Sequence, residues 1–237
     1  MWLKAELHSH ALDDPVDGGK IVRHSARQLI DAASDKSFQI LSITNHNQML
    51  QSDDLQRYAW ERGILLIPGV EATLSGKHVL LYNFLNYDRS WKSPEVVLQN
   101  KGRNQLVVAP HPFFPSPTSL GSSLIHWVHL FDAVEYNHFY LSWANFNRRA
   151  VATAHRHNLP MVGNSDVHFL FQLGRTYSWI YAELEVGSVI EAVKQGKIRL
   201  ITRPVSPLFV AHWLLRTMAH QSGHSLRSAL SMFLSQT

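Results

Sequence analysis

The sequence predicts a parallel α/β fold in one large domain. Two observations carry this reading. Short apolar runs alternate with helix-like stretches along most of the chain, and polar residues recur just after the apolar runs. The 237 residues suit a single barrel-sized unit, and no repeat, low-complexity tract or long linker divides them.

Residues 2–8 alternate as a first strand ending at His8. Ser25 can cap a helix through about Ala33, with Leu29, Ile30 and Ala33 on one face. Phe38 to Ile43 is an apolar run ending at Thr44-Asn45-His46, and Ser52-Asp53-Asp54 opens a second helix with acids in its first turn. Ile64 to Ile67 reads as a buried strand followed by Pro68-Gly69 and Glu71, and His78 to Phe84 as the next. Leu106 to Ala109 leads into Pro110-His111-Pro112, and Phe131 to Tyr136 ends near Asn137-His138. A helix from about Trp143 to His157 precedes Pro160 to Gly163, which runs into Asn164-Ser165-Asp166-Val167-His168. Tyr177 to Ala182 is a strand, and Ser188 to Gly196 a helix closed by its glycine. Pro207 to Ala219 and Ser225 to Leu234 read as two short helices joined at Gly223, the second with an apolar face of Leu226, Ala229, Leu230 and Phe233. The expected organisation is therefore a barrel domain over 1–204 and a helical extension over 205–237. That extension packs on the barrel or supplies a homo-oligomer contact.

Composition narrows the function classes. A hydrophobic fraction of 45% and a charged fraction of 17% suit a compact soluble domain, and the lack of cysteine excludes disulfides and thiolate metal sites. The N-terminal MWLKAELHSH has no apolar signal core, and PLFVAHWLL is far short of the ~20 residues that span a bilayer, so a cytoplasmic protein is expected. A charge of +4 and a pI near 9.4 favour anionic ligands in general. The basic residues are scattered, which argues against a dedicated duplex nucleic-acid module.

The fifteen histidines carry more. His8 and His10, two apart on a strand, share a face and can meet one cation. His46, Glu71, His111, and Asp166 with His168, each follow a separate apolar run. Histidines and a carboxylate gathered from strand ends make the kind of shell that Zn²⁺, Mn²⁺ or Fe accepts, and a carboxylate such as Glu71 can bridge two cations. His138 also follows a strand and could approach the same cleft.

Glu6-Leu7-His8-Ser9-His10, Ile43-Thr44-Asn45-His46-Asn47, Gly69-Val70-Glu71, Ala109-Pro110-His111-Pro112 and Ser165-Asp166-Val167-His168 together resemble the motifs of the PHP (polymerase and histidinol phosphatase) family, in the family's order and over roughly residues 5 to 175. The resemblance implies a distorted (β/α)7 TIM-like barrel with two to three divalent metal ions (Zn, Mn or Fe) at the C-terminal ends of its strands. It places His8, His10, Glu71 and Asp166 on a first metal. Glu71, His111 and His78 would hold a second, although His78 has a structural role as its alternative. His46 and His168 would hold a third with an acid from the loop after His10. Asp17, before Gly18, best matches the family's S-D-G element, with Asp13 and Asp14 as rivals. Asn45 departs from the family's usual aspartate and would orient His46 or a water only through neutral hydrogen bonds.

The expected function is a metal-dependent phosphoesterase cleaving a small phosphomonoester or a nucleotide-like phosphodiester through a metal-activated hydroxide. His46, Asp166 and His168 are the candidate catalytic residues. Arg148, Arg149 and Arg175 are candidates for gripping phosphate. The alternatives are an amidohydrolase-type C–N hydrolase and a degraded barrel acting as a binding or regulatory module. The first usually needs a bridging lysine, which no strand end here supplies; the second has Asn45 as its support.

Overall fold

The computed structural model describes residues 1–218; the expected helix over 225–234, and any dimer contact it would offer, lie outside them. In chain order the elements are β1 (Trp2–Glu6), α1 (Ala26–Asp35), β2 (Ile40–Leu41), α2 (Asp53–Trp60), β3 (Leu65–Leu66), β4 (Gly69–Leu74), β5 (Lys77–Tyr82), α3 (Pro94–Asn100), β6 (Leu106–Ala109), α4 (Ser123–His126), a 3₁₀ turn (Val128–Leu130), β7 (Ala133–Asn137), α5 (Asn147–Arg156), β8 (Met161–Asn164), β9 (Tyr177–Tyr181), α6 (Val186–Lys194) and β10 (Ile198–Ile201). A last helix, α7, covers residues 207–218.

Local chemistry accounts for the helix starts. Ser25 accepts from the Gln28 backbone amide while the Gln28 side chain accepts from Ser25, so α1 opens on a capping box. Ser52 accepts from the Leu55 amide ahead of Asp53 and Asp54. The helix expected from Trp143 begins instead at Asn147, because Asn145 Oδ1 accepts from the Asn147 amide and folds the preceding residues into a turn.

The α/β class holds, but the all-parallel expectation does not. The strands form two mixed five-stranded sheets, ordered β10-β9-β1-β2-β3 and β4-β5-β6-β7-β8. β1-β2-β3 and β6-β7-β8 pair in parallel, whereas β1 with β9, β9 with β10, β4 with β5 and β5 with β6 are antiparallel. The reason at β4–β5 is a two-residue turn, Ser75-Gly76, with both residues at positive φ (47° and 77°), a geometry that joins only antiparallel strands. Among the described residues the hydrogen-bond ladders do not close into one barrel. Isolated parallel bridges join the sheets instead, at His46 with Glu71 and at Ser9 with Val167.

Three buried clusters hold these layers. Leu3, Ala5, Leu80, Tyr82, Val108, Ala133 and Val162 pack with Val189, Ile190 and Val193 of α6. Val70, Ala72 and Leu74 of β4, with Val79 and Leu81 of β5, pack toward Val97 of α3 and Ala150 and Ala154 of α5. Leu29, Ile30 and Ala33 of α1 pack with Leu41, Ile43, Ala59 and Leu66. Because successive strand residues face opposite sides, the outward Val70 and Ala72 turn Glu71 inward.

Candidate metal centre

Glu71 is the hub. It is 1% exposed and lies on the inward face of β4. Its Oε2 is 3.3 Å from His8 Nε2, 3.4 Å from His10 Nε2 and 3.2 Å from His46 Nε2. Its Oε1 is 2.7 Å from His78 Nδ1 and 3.1 Å from His111 Nε2. Asp166 Oδ1 stands 3.4 Å from both His8 Nε2 and His10 Nε2. The strand-end spacing of His8-Ser9-His10 thus brings both rings to the same pair of carboxylates just past the end of β1.

Three of these rings are set by a carboxylate on their other nitrogen. His8 Nδ1 donates to Glu135 Oε1 at 2.8 Å, while Glu135 also accepts from the His111 amide and Asn164 Nδ2. His10 Nδ1 and His46 Nδ1 both donate to Asp14 Oδ2, at 2.8 and 2.9 Å. These bonds leave the Nε2 lone pairs of all three rings turned toward Glu71, the arrangement in which a carboxylate orients a metal-binding histidine. Glu6 accepts from the amides of His8 and Ser165 and so ties the first motif to the last. Burial pushes the Glu6 carboxyl up to about 8, against those hydrogen bonds.

The electrostatics follow the contacts. Burial opposes ionisation of Glu71, yet His78, His8 and His46 hold its carboxyl well below the usual carboxylate range. Burial likewise opposes ionisation of Asp166, and His8 and His168 keep it well below that range. Burial pulls the His168 imidazole down, but Asp166 and Asp17 outweigh it and push the ring up to about 9. His111 and Asp166 sit at positive φ (26° and 47°), local backbone strain of the kind found at functional sites.

The donor set fits a divalent cation. His8 Nε2, His10 Nε2, His78 Nδ1 and Asp166 Oδ1 are buried with no aligned hydrogen-bond partner, a costly state unless an ion completes them. Among the described residues, four groups have ligand atoms close enough to share an ion: His8 with His10 and Asp166, His8 with Glu71 and His111, His46 with Glu71 and His78, and His10 with Asp14 and His46. Asp17 and His168 come together more loosely, as a 3.1 Å pair at the rim, with Asp17 3.9 Å from His46 Nδ1.

Several residues behave differently from the sequence reading. Asp14 is buried on the two histidines, whereas Asp13 is exposed. Asn45 does not orient His46: its Oδ1 accepts from the Ala11 amide at 2.8 Å, and Asp14 orients that ring instead. Glu135 was missed, although a lone acid inside the apolar run Ala133-Val134 was a readable signal. His138 does reach the cleft, where it is buried and burial pulls it down to about 4. None of the three candidate arginines lines the cleft. Arg148 is exposed, Arg149 lies over the Phe113 ring, and Arg175 lies over the Phe209 ring.

These groups line a cavity of about 240 Å³. Glu71, His46, His78, His111, Asp166 and His168 form its floor, and Phe114, Phe139 and Trp213 of α7 form much of its wall. No lysine or arginine lines it among the described residues. No described helix is long and apolar enough to cross a membrane.

The chain resembles known proteins in part of its sequence and in its fold. A family model described as PHP-associated matches residues 144–198. An uncharacterised protein of Methanocaldococcus jannaschii is 28% identical over 132 residues, covering 52% of this chain and 75% of that protein. Among solved structures, PsfC from Pseudomonas syringae PB-5123 superposes with a TM-score of 0.63 at 21% identity, over 93% of this chain and 98% of its own. A Bifidobacterium adolescentis protein proposed to be a metal-dependent phosphoesterase gives 0.53 at 15% identity, over 70% and 87%. An amidohydrolase from Chromobacterium violaceum, with bound sulfate and no metal, gives 0.58 at 14%, over 82% and 97%. The PHP-associated match over residues 144–198 agrees with the resemblance of the five ordered motifs to the PHP family, and the solved structures share the fold.

Proposed function

We propose that the chain is a metal-dependent phosphoesterase acting on a small phosphomonoester or a nucleotide-like phosphodiester. The observation that carries this is the Glu71 carboxylate, ringed by five imidazoles with ligand atoms left unpartnered beside it. We read His8, His10, Glu71 and Asp166 as one ion's ligands, Glu71, His78 and His111 as a second's, and His46, Asp17 and His168 as the rim set for a third. On this reading the two bridged sheets are the opened form of a distorted seven-stranded barrel, with the centre at its strand ends.

Divalent ions there would supply positive charge to phosphoryl oxygens and lower the pKa of a bound water. The chain's own residues do the rest. Glu135 and Asp14 keep the histidine Nε2 atoms aimed inward. When the rim set holds no third ion, His168, held protonated by Asp166 and Asp17, is placed to give a proton to a leaving oxygen at the cleft rim. The aromatic wall excludes water from one side of the cavity. The scarcity of lysine and arginine in the cleft is consistent with ions, rather than guanidinium groups, compensating the phosphate charge.

The amidohydrolase-like neighbour keeps C–N hydrolysis as the second reading, and the absence of lysine from the cleft lining disfavours its lysine-bridged form. Elemental analysis paired with turnover of p-nitrophenyl phosphate, bis-p-nitrophenyl phosphate and p-nitroacetanilide in added Mn²⁺ or Zn²⁺ separates the readings. Two or three ions per chain, with ester turnover lost in His10→Ala, is the expected result. Amide turnover without ester turnover would move the assignment to C–N hydrolysis. Metal-free protein that stays inert after reconstitution would leave a binding role.

A further inference from the structure

The loop after Asp166 and His168 separates two cavities. Its Gln172 faces the metal centre, accepting from the His168 and Phe169 amides. Its other side, at Phe171, Leu173, Gly174 and Arg175, walls a second and more open cavity of about 500 Å³, completed by Lys4, Lys36 and Arg203. Four cations from four separated chain segments therefore converge on one concavity, with no histidine or acid in its wall among the described residues.

None of the four makes an ion pair among the described residues, and residues 219–237 contain no aspartate or glutamate. Their stems are held in place. Lys4 Nζ donates to the Lys36 carbonyl and lies over the Phe38 and Tyr177 rings, Lys36 Nζ donates to the Leu173 carbonyl, and Arg175 stacks on Phe209. Each lysine keeps two further N–H groups, and the guanidinium of Arg203 has no partner among the described contacts. Burial and mutual repulsion act together: Lys4 is lowered by burial and Lys36, Lys36 by burial and Arg175, and Arg175 by burial and Arg203. A row of like charges held together in this way is relieved by one multivalent anion. An isolated solvated cation would need no such convergence. A duplex partner would call for an extended basic stripe, whereas these four groups close on a pocket.

We propose that the cavity between Lys4, Lys36, Arg175 and Arg203 is a second, non-catalytic site for a small multiply charged phosphate of the polyphosphate class. The proposal is independent of the phosphoesterase reading, because it concerns binding on the far side of the loop from the metal centre.

Isothermal titration of tripolyphosphate into the full chain at constant ionic strength tests it without any turnover. Arg203→Gln alters an exposed side chain and leaves the stacked and carbonyl-bonded groups intact. The double variant Arg175→Gln, Arg203→Gln removes half the positive charge of the site. Arg148→Gln, Arg149→Gln removes the same charge elsewhere and serves as the control. The expected result is saturable binding that weakens about tenfold in Arg203→Gln and further in the double variant, with the control within about twofold of the parent. Tripolyphosphate binding equally to parent and double variant would place the anion elsewhere. Equal loss in the control would reduce the effect to bulk charge, and no binding to the parent would remove the site. Each of these overturns the proposal.

Discussion

Glu135 and Asp14 perform one task from opposite sides of Glu71. Glu135 accepts a hydrogen bond from His8 Nδ1, Asp14 accepts from His10 Nδ1 and His46 Nδ1, and both leave Nε2 facing the hub. Glu135→Gln can still accept from His8, but it carries no charge and brings an amide against the His111 N–H or the Asn164 amide. We expect metal affinity to fall about 10- to 100-fold, read by competition with a chromophoric chelator. Unaltered affinity would mean that Glu135 is only a structural acceptor. Asn45 belongs to the backbone instead, since it holds the Ala11 amide. Asn45→Asp should therefore leave metal stoichiometry unchanged and lower the melting temperature at neutral pH, because a buried carboxylate there has one donor. A gain of bound metal in that variant would restore a role for position 45 at His46.

At the level of elements, the seam between the sheets is the sensitive place. Gly69 starts β4 where it passes β2: a methyl group on it would collide with Ser42 Oγ and stand 2.8 Å from Thr44 Cγ2. Ser42 Oγ donates to the Ile67 carbonyl, so it cannot swing away without losing that bond. Gly69→Ala is expected to cost about 1–3 kcal/mol, as overpacking in a filled core does. It should also loosen the neighbouring His46–Glu71 bridge. Chemical denaturation with metal analysis of the folded protein checks both effects. A fully stable, fully metallated Gly69→Ala protein would show that the seam tolerates displacement.

For the molecule as a whole, the buried histidine–carboxylate cluster couples metal, protons and stability. His168 in the folded chain is pushed up to about 9, above the ~6.5 of an unfolded histidine, and the neighbouring acids also raise His8 and His111. A raised histidine stabilises the metal-free fold fully below pH ~6.5 and loses that contribution as pH climbs through about 9. The cluster's depressed carboxylates stay ionised across this window and do not contribute to the change. Metal must displace the same protons, so its affinity rises over the same range. Melting curves with EDTA and with saturating Mn²⁺ should therefore diverge from pH 6.5 to 9, the metal-free melting temperature falling and the gap widening. A gap that stays constant with pH would uncouple the histidines from the metal.

What the sequence determined by itself was the chemistry at the strand ends. Two-residue periodicity put His8 with His10, apolar runs located His46, Glu71, His111, Asp166 and His168, and helix caps at Ser25 and Ser52 were local enough to read directly. Such features depend on backbone periodicity and neighbouring residues, which a linear chain displays. Tertiary structure decided which acid orients and which faces the cleft, because Asp14 and Asp17 are equivalent until the loop folds onto His10 and His168. It also decided that Glu135 points inward to His8, that Asn45 serves the backbone, and that hairpins mix the sheet directions. The convergence of Lys4, Lys36, Arg175 and Arg203 came the same way. Those outcomes depend on contacts between residues up to about 200 positions apart in the chain, and no local pattern of charge or hydropathy encodes them.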